Sequence, residues 1–178
     1  MFTYGIDADD RIVAWSPEYE EFAIANDGKH LVAPHIRGKS LWDFISDSNT
    51  VDVYQTLLDR ARDGNIVKFT FRCDGPATRR VLEMTIEADE SENVCFRVET
   101  ISEEPRPAQK LLDPRQERSD ETLVFCSWCS KFRVGPGKWS EVEQAIDELG
   151  LFHADPLPRV EPVMCDSCYG NRRGVPRA

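Results

Sequence analysis

The sequence predicts an α+β protein: a five-stranded antiparallel sheet with helices on one face, followed by a small C-terminal zinc-binding module. Three observations predict it. Residues 1–102 read as two short strands, a run of helices, and three strands in which apolar and polar side chains alternate. Two Cys-x-x-Cys pairs, Cys126-Ser-Trp-Cys129 and Cys165-Asp-Ser-Cys168, lie in the last third of the chain. Between the two parts, Pro105, Pro107 and Pro114 interrupt a charged stretch.

Phe2 to Asp7 and Arg11 to Trp15 are the first two strands, joined by the turn-forming Ala8-Asp9-Asp10. Ser16-Pro17-Glu18 then starts a helix: a hydroxyl at the N-cap, proline at the first helical position and an acid in the positive first turn. Tyr19, Phe22, Ala23 and Asn26 form its inner side, and Gly28 ends it. After a loop from Lys29 to Lys39, Ser40 caps a short helix over Leu41 to Ile45. The next helix runs from Asn49 to Asp63, with Val51, Tyr54, Leu58 and Ala61 on one stripe, Leu57 beside it, and Gly64 as the stop. Three strands follow. Val67, Phe69, Phe71 and Cys73 share one face of Ile66–Cys73; Leu82, Met84, Ile86 and Ala88 do so in Val81–Ala88; Val94, Phe96 and Val98 do so in Val94–Ile101. Their other faces carry charged and hydroxyl side chains, the pattern of an antiparallel sheet with one wet face.

Residues 103–121 read as a linker, which Leu111 and Leu112 pin to one of the two parts. The C-terminal module covers 122–170 and a basic tail covers 171–178, with Arg172, Arg173 and Arg177. Thr122 to Phe125 is a strand feeding the first cysteine pair. Ser140-Glu-Val-Glu143 matches a capping box and opens a helix whose stripe is Val142, Ala145, Ile146 and Leu149.

Cys126, Cys129, Cys165 and Cys168 match the ligand set of a structural zinc ion. Two residues between paired cysteines let one turn aim both sulfurs at one point, and four thiolates close the coordination sphere, leaving no position for substrate. Trp128 is placed to cover the ion, and Lys131 and Arg133 to offset the anionic cluster. The remaining cysteines, Cys73 and Cys95, fall on strands.

Asp7-Ala-Asp-Asp-Arg-Ile-Val13 and Arg37-Gly-Lys-Ser-Leu-Trp-Asp-Phe-Ile45 carry a family likeness. Residues 1–102 resemble a PAS domain, with Ser16 where many members have asparagine. The run from Cys126 to Cys168 resembles a C-terminal extension found beside sensor domains in bacterial signalling proteins. In that extension a histidine precedes the last cysteine pair; this chain has Glu161-Pro-Val-Met164 there, and His153 lies farther upstream. The resemblance implies a sensor of signal transduction that binds a ligand or a partner through the PAS-like domain. The aromatic set Trp15, Tyr19, Trp42, Tyr54, Phe69, Phe71 and Phe96 can line a ligand pocket or fill it as core. His30 and His35, the histidines near it, stand in a polar loop, a poor position for a haem ligand. The ligand itself is not legible.

Charge narrows the partners. The chain of 178 residues has a net charge of −10, and residues 1–102 carry 11 Lys/Arg against 19 Asp/Glu. A nucleic-acid binder needs a basic footprint, so a signalling protein or a second copy of the chain is the expected partner. No apolar run approaches the ~20 residues that span a bilayer. Met1-Phe-Thr-Tyr-Gly-Ile has no basic stretch leading an apolar one, so the expected location is the cytoplasm, where cysteines stay reduced or metal-bound. There is no Ser/His/Asp set, Gly-rich nucleotide loop or open metal motif, and the expectation is a non-enzymatic protein. The alternative is a redox switch in which the two pairs form disulfides and release zinc.

Overall fold

The computed structural model describes residues 1–171. The basic tail of the sequence reading, from Arg172 onward, lies outside the described residues.

Alternation builds the first sheet. Strands β1 (Phe2–Ile6), β2 (Ile12–Trp15), β3 (Val67–Arg72), β4 (Thr78–Ala88) and β5 (Val94–Pro105) form a five-stranded antiparallel sheet in the order β2-β1-β5-β4-β3. Its apolar side carries Ile6, Val67, Leu82, Met84, Ile86, Val94, Phe96 and Val98, each at most 3% exposed. Helices α1 (Pro17–Ala25) and α2 (Ser48–Arg62) and a short 3-10 turn at Leu41–Phe44 cover that side, with Ile36 and Leu41 buried beneath them. Complete burial of such side chains stabilises by about 1.5–3 kcal/mol each, so this core holds the helices in place.

Local signals locate the elements but not every contact. Ser16 does precede α1, yet its hydroxyl accepts from the backbone N–H of Thr3 at 3.2 Å rather than capping the helix. The oxygen is used to tie α1 to the sheet edge. In α2 the buried residues are Thr50, Val53, Leu57, Leu58 and Ala61, so the inner stripe is centred nearer Leu57 than the sequence suggests and Val51 sits at its margin. The cap of α2 is Asp47, whose carboxylate accepts from the N–H of Thr50.

The segment between the two parts is more ordered than its prolines suggest. Strand β5 continues to Pro105, pairing with β4 alone once β1 ends opposite Val98. On that free edge a missing N–H costs nothing. Leu111, 1% exposed, enters the core of the C-terminal module with Leu112 beside it.

That module contains a second sheet, which the sequence reading did not foresee beyond its first strand. It has the order β8-β7-β6-β9, from β6 (Arg118–Cys126), β7 (Phe132–Gly135), β8 (Lys138–Ser140) and β9 (Leu157–Val163), and β9 runs parallel to β6. Helix α3 (Val142–Glu148) packs on it through Val142 and Ala145, which meet Leu111, Leu123 and Phe132. The capping box does not form. Ser140 belongs to β8 and donates to Glu148, Glu141 takes the N-cap position, and Glu141 spends its carboxylate on Arg72. Helix α4 (Asp166–Gly170) ends the described chain. No helix among the described residues is long and apolar enough to cross a membrane.

Candidate metal centre

The four cysteines come from two local folds. Strand β6 ends at Cys126, and the chain turns back at once. The N–H of Ser130 donates to the Cys126 carbonyl at 2.9 Å, and the N–H of Cys126 donates to the Lys131 carbonyl at 2.7 Å. Ser130 takes a left-handed φ of 58° to close this loop, a conformation that costs a non-glycine residue about 1–2 kcal/mol. The second pair follows β9: Cys165 occupies the N-cap of α4 and Cys168 lies one turn on. Parallel pairing of β6 with β9 brings Cys126 opposite Val163, so the ends of two neighbouring strands deliver the two pairs side by side.

All four sulfurs lie within 4.8 Å of one another, and Cys129 Sγ is 4.0 Å from Cys165 Sγ. A tetrahedral ion with sulfur at 2.3 Å sets its ligands about 3.8 Å apart, whereas a disulfide requires about 2.0 Å. The arrangement therefore fits a metal such as zinc, and all six cysteines of the chain are unpaired. Cys126 and Cys165 are buried, Cys129 and Cys168 half-buried. Backbone amides point at the cluster: Cys165 N–H donates to Cys126 Sγ at 3.3 Å and Cys168 N–H to Cys165 Sγ at 3.4 Å. Such donors stabilise thiolate charge around an ion. Hydrogen bonds from the Cys129 and Cys168 thiols pull the Cys126 thiol far below its usual range, and the same contacts push Cys168 and Cys129 up. A divalent cation binds such a set by displacing the protons that its thiols carry. His30, His35 and His153 are all exposed and outside the cluster.

Trp128, which the sequence places over the ion, packs against the first core. Its ring stacks on Phe69 of the first sheet at 4.7 Å between centroids, with Tyr54 and Phe71 each at 6.4 Å. The metal loop thus inserts its one aromatic side chain into the other core. Polar ties surround this plug. Arg72 N–H donates to the Trp128 carbonyl at 2.9 Å, and Asp47 accepts from Met164 N–H at 2.9 Å, one residue before Cys165. Met164 itself is a member of the first core. Arg72, Arg79 and Arg106 interleave with Asp74, Glu141 and Glu143: Arg72 binds both Asp74 and Glu141, and Arg106 lies 3.2 Å from Asp74, whose side chain is 1% exposed. Sequence reasoning missed Asp47, Arg72 and Glu141 as site residues. Asp47-Ser-Asn-Thr50 does carry a readable N-cap, but nothing local signals what else that carboxylate holds.

A cavity of about 450 Å³ lies between the sheet and the helices, lined in part by Tyr19, Tyr54 and Phe71 of the predicted set. Phe2, Tyr4, Phe22 and Met84 add to its wall. The other predicted residues lie elsewhere. Phe96 is fully buried and stacked on Tyr4, and Phe69 is spent on Trp128. Trp42 donates from Nε1 to Asp10 at 2.9 Å, and Trp15 from Nε1 to Glu20 at 2.8 Å.

No family model matches the chain, and a search of curated proteins finds no match either.

Proposed function

We propose that this protein is a non-enzymatic sensor or adaptor of signal transduction, in which a structural zinc ion clamps a C-terminal module onto a PAS-like ligand-binding domain. The observation that carries the reading is the placement of the metal loop. Four sulfurs within 4.8 Å of one another hold a turn whose tryptophan stacks on Phe69 and meets Tyr54 and Phe71 of the cavity wall. A closed Cys₄ site supplies folding energy rather than chemistry. The PAS-like reading rests on the order of strands and helices, on a five-stranded antiparallel sheet with helices on one face, and on the motifs at Asp7–Val13 and Arg37–Ile45. A cavity of about 450 Å³ falls within the ~300–1,000 Å³ of small-molecule sites. Signalling would then pass to a partner protein or a second copy.

A thermal-shift screen of neutral small molecules tests this reading, run beside Ala23→Leu, which extends a helix side chain into the cavity. The reading expects compounds that raise the melting temperature of the natural chain and leave the variant unmoved. Shifts of equal size in both would remove the cavity from the account.

A second reading has its own support: Cys129 and Cys168 are half-exposed, within reach of an oxidant. Peroxide would take two electrons from a pair of thiols, form a disulfide and two waters, and expel the metal. Zinc release in step with peroxide, reversed by dithiothreitol, distinguishes this switch from a purely structural ion.

A further inference from the structure

The large cavity has a neighbour. A hollow of about 200 Å³ is walled by Phe44, Ile45, Tyr54 and Phe71, which also line the large cavity, and by Asp47, Thr50, Ser127 and Pro162. Ser127 lies inside the first cysteine pair and Pro162 on β9 next to the second. Tyr54 and Phe71 therefore stand between the cavity and the metal loop, and Trp128 touches both rings from the metal side. Binding an ion by Cys126 and Cys129 fixes the two-residue turn that carries Trp128. The ring would then be held on Phe69 and against Tyr54 and Phe71, two residues of the cavity wall.

The lining also defines what the cavity takes. No Asp, Glu, Lys, Arg or His side chain lines it. Its polar groups are the tyrosine hydroxyls, Asn26 and the weakly polar Cys73 thiol. Burial raises Tyr4 well above the ordinary phenol range and Tyr54 to about 12, so both are neutral donors. The Tyr54 hydroxyl meets the Met84 sulfur at 3.9 Å, a weak acceptor that a ligand oxygen or nitrogen would outcompete.

We infer that the metal centre sets the affinity of the cavity for a neutral, mostly apolar small molecule bearing a hydrogen-bonding group, through Trp128 acting on Tyr54 and Phe71. The inference rests on the sensor reading above and adds its regulation. Linkage makes the effect reciprocal: if metal tightens ligand binding by a given factor, ligand tightens metal binding by the same factor.

The experiment uses the full chain and N-phenyl-1-naphthylamine, a neutral fluorescent probe with one N–H donor. Probe affinity is measured for the zinc-loaded protein, for the chelated protein, and for zinc-loaded Trp128→Ala, with zinc content verified in each and circular dichroism reporting the fold. Zinc affinity is measured by chelator competition with and without saturating probe. The inference expects probe affinity to fall roughly fivefold or more on chelation, the range of ordinary couplings. Zinc-loaded Trp128→Ala should bind probe as weakly as the chelated protein, and probe should tighten zinc in the natural chain only. Equal probe affinity in zinc-loaded Trp128→Ala and the natural chain overturns the coupling while the cavity reading stands. Absence of probe binding to every form, or binding that Ala23→Leu leaves intact, overturns the cavity reading and the coupling together.

Discussion

Asp47 connects helix α2 to the metal loop through one oxygen, and its replacement gives a sharp test of how the two parts are joined. Oδ2 accepts from Thr50 N at 2.8 Å, from Thr50 Oγ1 at 2.7 Å and from Met164 N at 2.9 Å. Asp47→Ala removes an N-cap, worth about 1 kcal/mol. It also leaves the amide of buried Met164 without a partner, at about 1–3 kcal/mol. The sum, about 2–4 kcal/mol, corresponds to a melting temperature lower by roughly 4–16 °C for a chain of this size. Asp47→Ser separates the two contributions, because serine caps as well as aspartate but is too short to reach Met164. We expect Asp47→Ser to recover the helix cap yet still lose zinc affinity, tenfold for each 1.4 kcal/mol that only the metal-bound form enjoys. Thermal unfolding with zinc saturated, and chelator competition at 25 °C, provide the two readouts. The reasoning is refuted if Asp47→Ser matches the natural chain in both.

Two further predictions follow from the same contacts. Arg72→Ala strips Asp74 and Glu141 of their shared guanidinium. Breaking a buried pair costs about 3–5 kcal/mol, and Arg106, still 3.2 Å from Asp74, should hold the loss to the lower part of that range; a loss under 0.5 kcal/mol in urea unfolding would contradict it. Tyr54 ionises at about 12 when folded and near the ordinary phenol value when unfolded, because burial disfavours phenolate. Its contribution to stability is complete below about pH 10 and declines between pH 10 and 12, by up to about 1 kcal/mol per pH unit. Urea unfolding at pH 9 and 11 should show a smaller decline in Tyr54→Phe, with Tyr4 and Tyr19, both raised by burial, contributing to what remains, and an unchanged slope would count against the buried phenol.

The first sheet is legible because its signal is local. Alternation in Val67–Phe71, Leu82–Ile86 and Val94–Val98 places each side chain without knowledge of its partner strand. The cysteine cluster is legible for a similar reason, since each pair is closed by its own turn. The second sheet is not. Strands β7 and β8 are four and three residues long, and β9 carries Pro158 and Pro162 on an edge where proline is tolerated. Ser140 misled because a capping pattern that lies inside a strand has the same spelling as one before a helix. The junction between the two parts depends on contacts such as Asp47 with Met164, 117 residues apart. Nothing near Asp47 in the chain announces that partner. Trp128 shows the same limit: its place between two ligands suggests a cover for the ion, and nothing local announces its packing on Phe69, Tyr54 and Phe71.

The central claim is that Cys126, Cys129, Cys165 and Cys168 hold one zinc ion, and metal content with a thiol count tests it most directly. Elemental mass spectrometry of the reduced full chain should find one zinc per molecule. A thiol reagent should modify exposed Cys95 promptly and Cys73 slowly, since burial raises the Cys73 thiol above its usual range. Four more thiols should appear only after a chelator removes the ion. A chain that binds no zinc when supplied with it, and whose Cys126, Cys129, Cys165 and Cys168 react as readily as Cys95, would contradict the account.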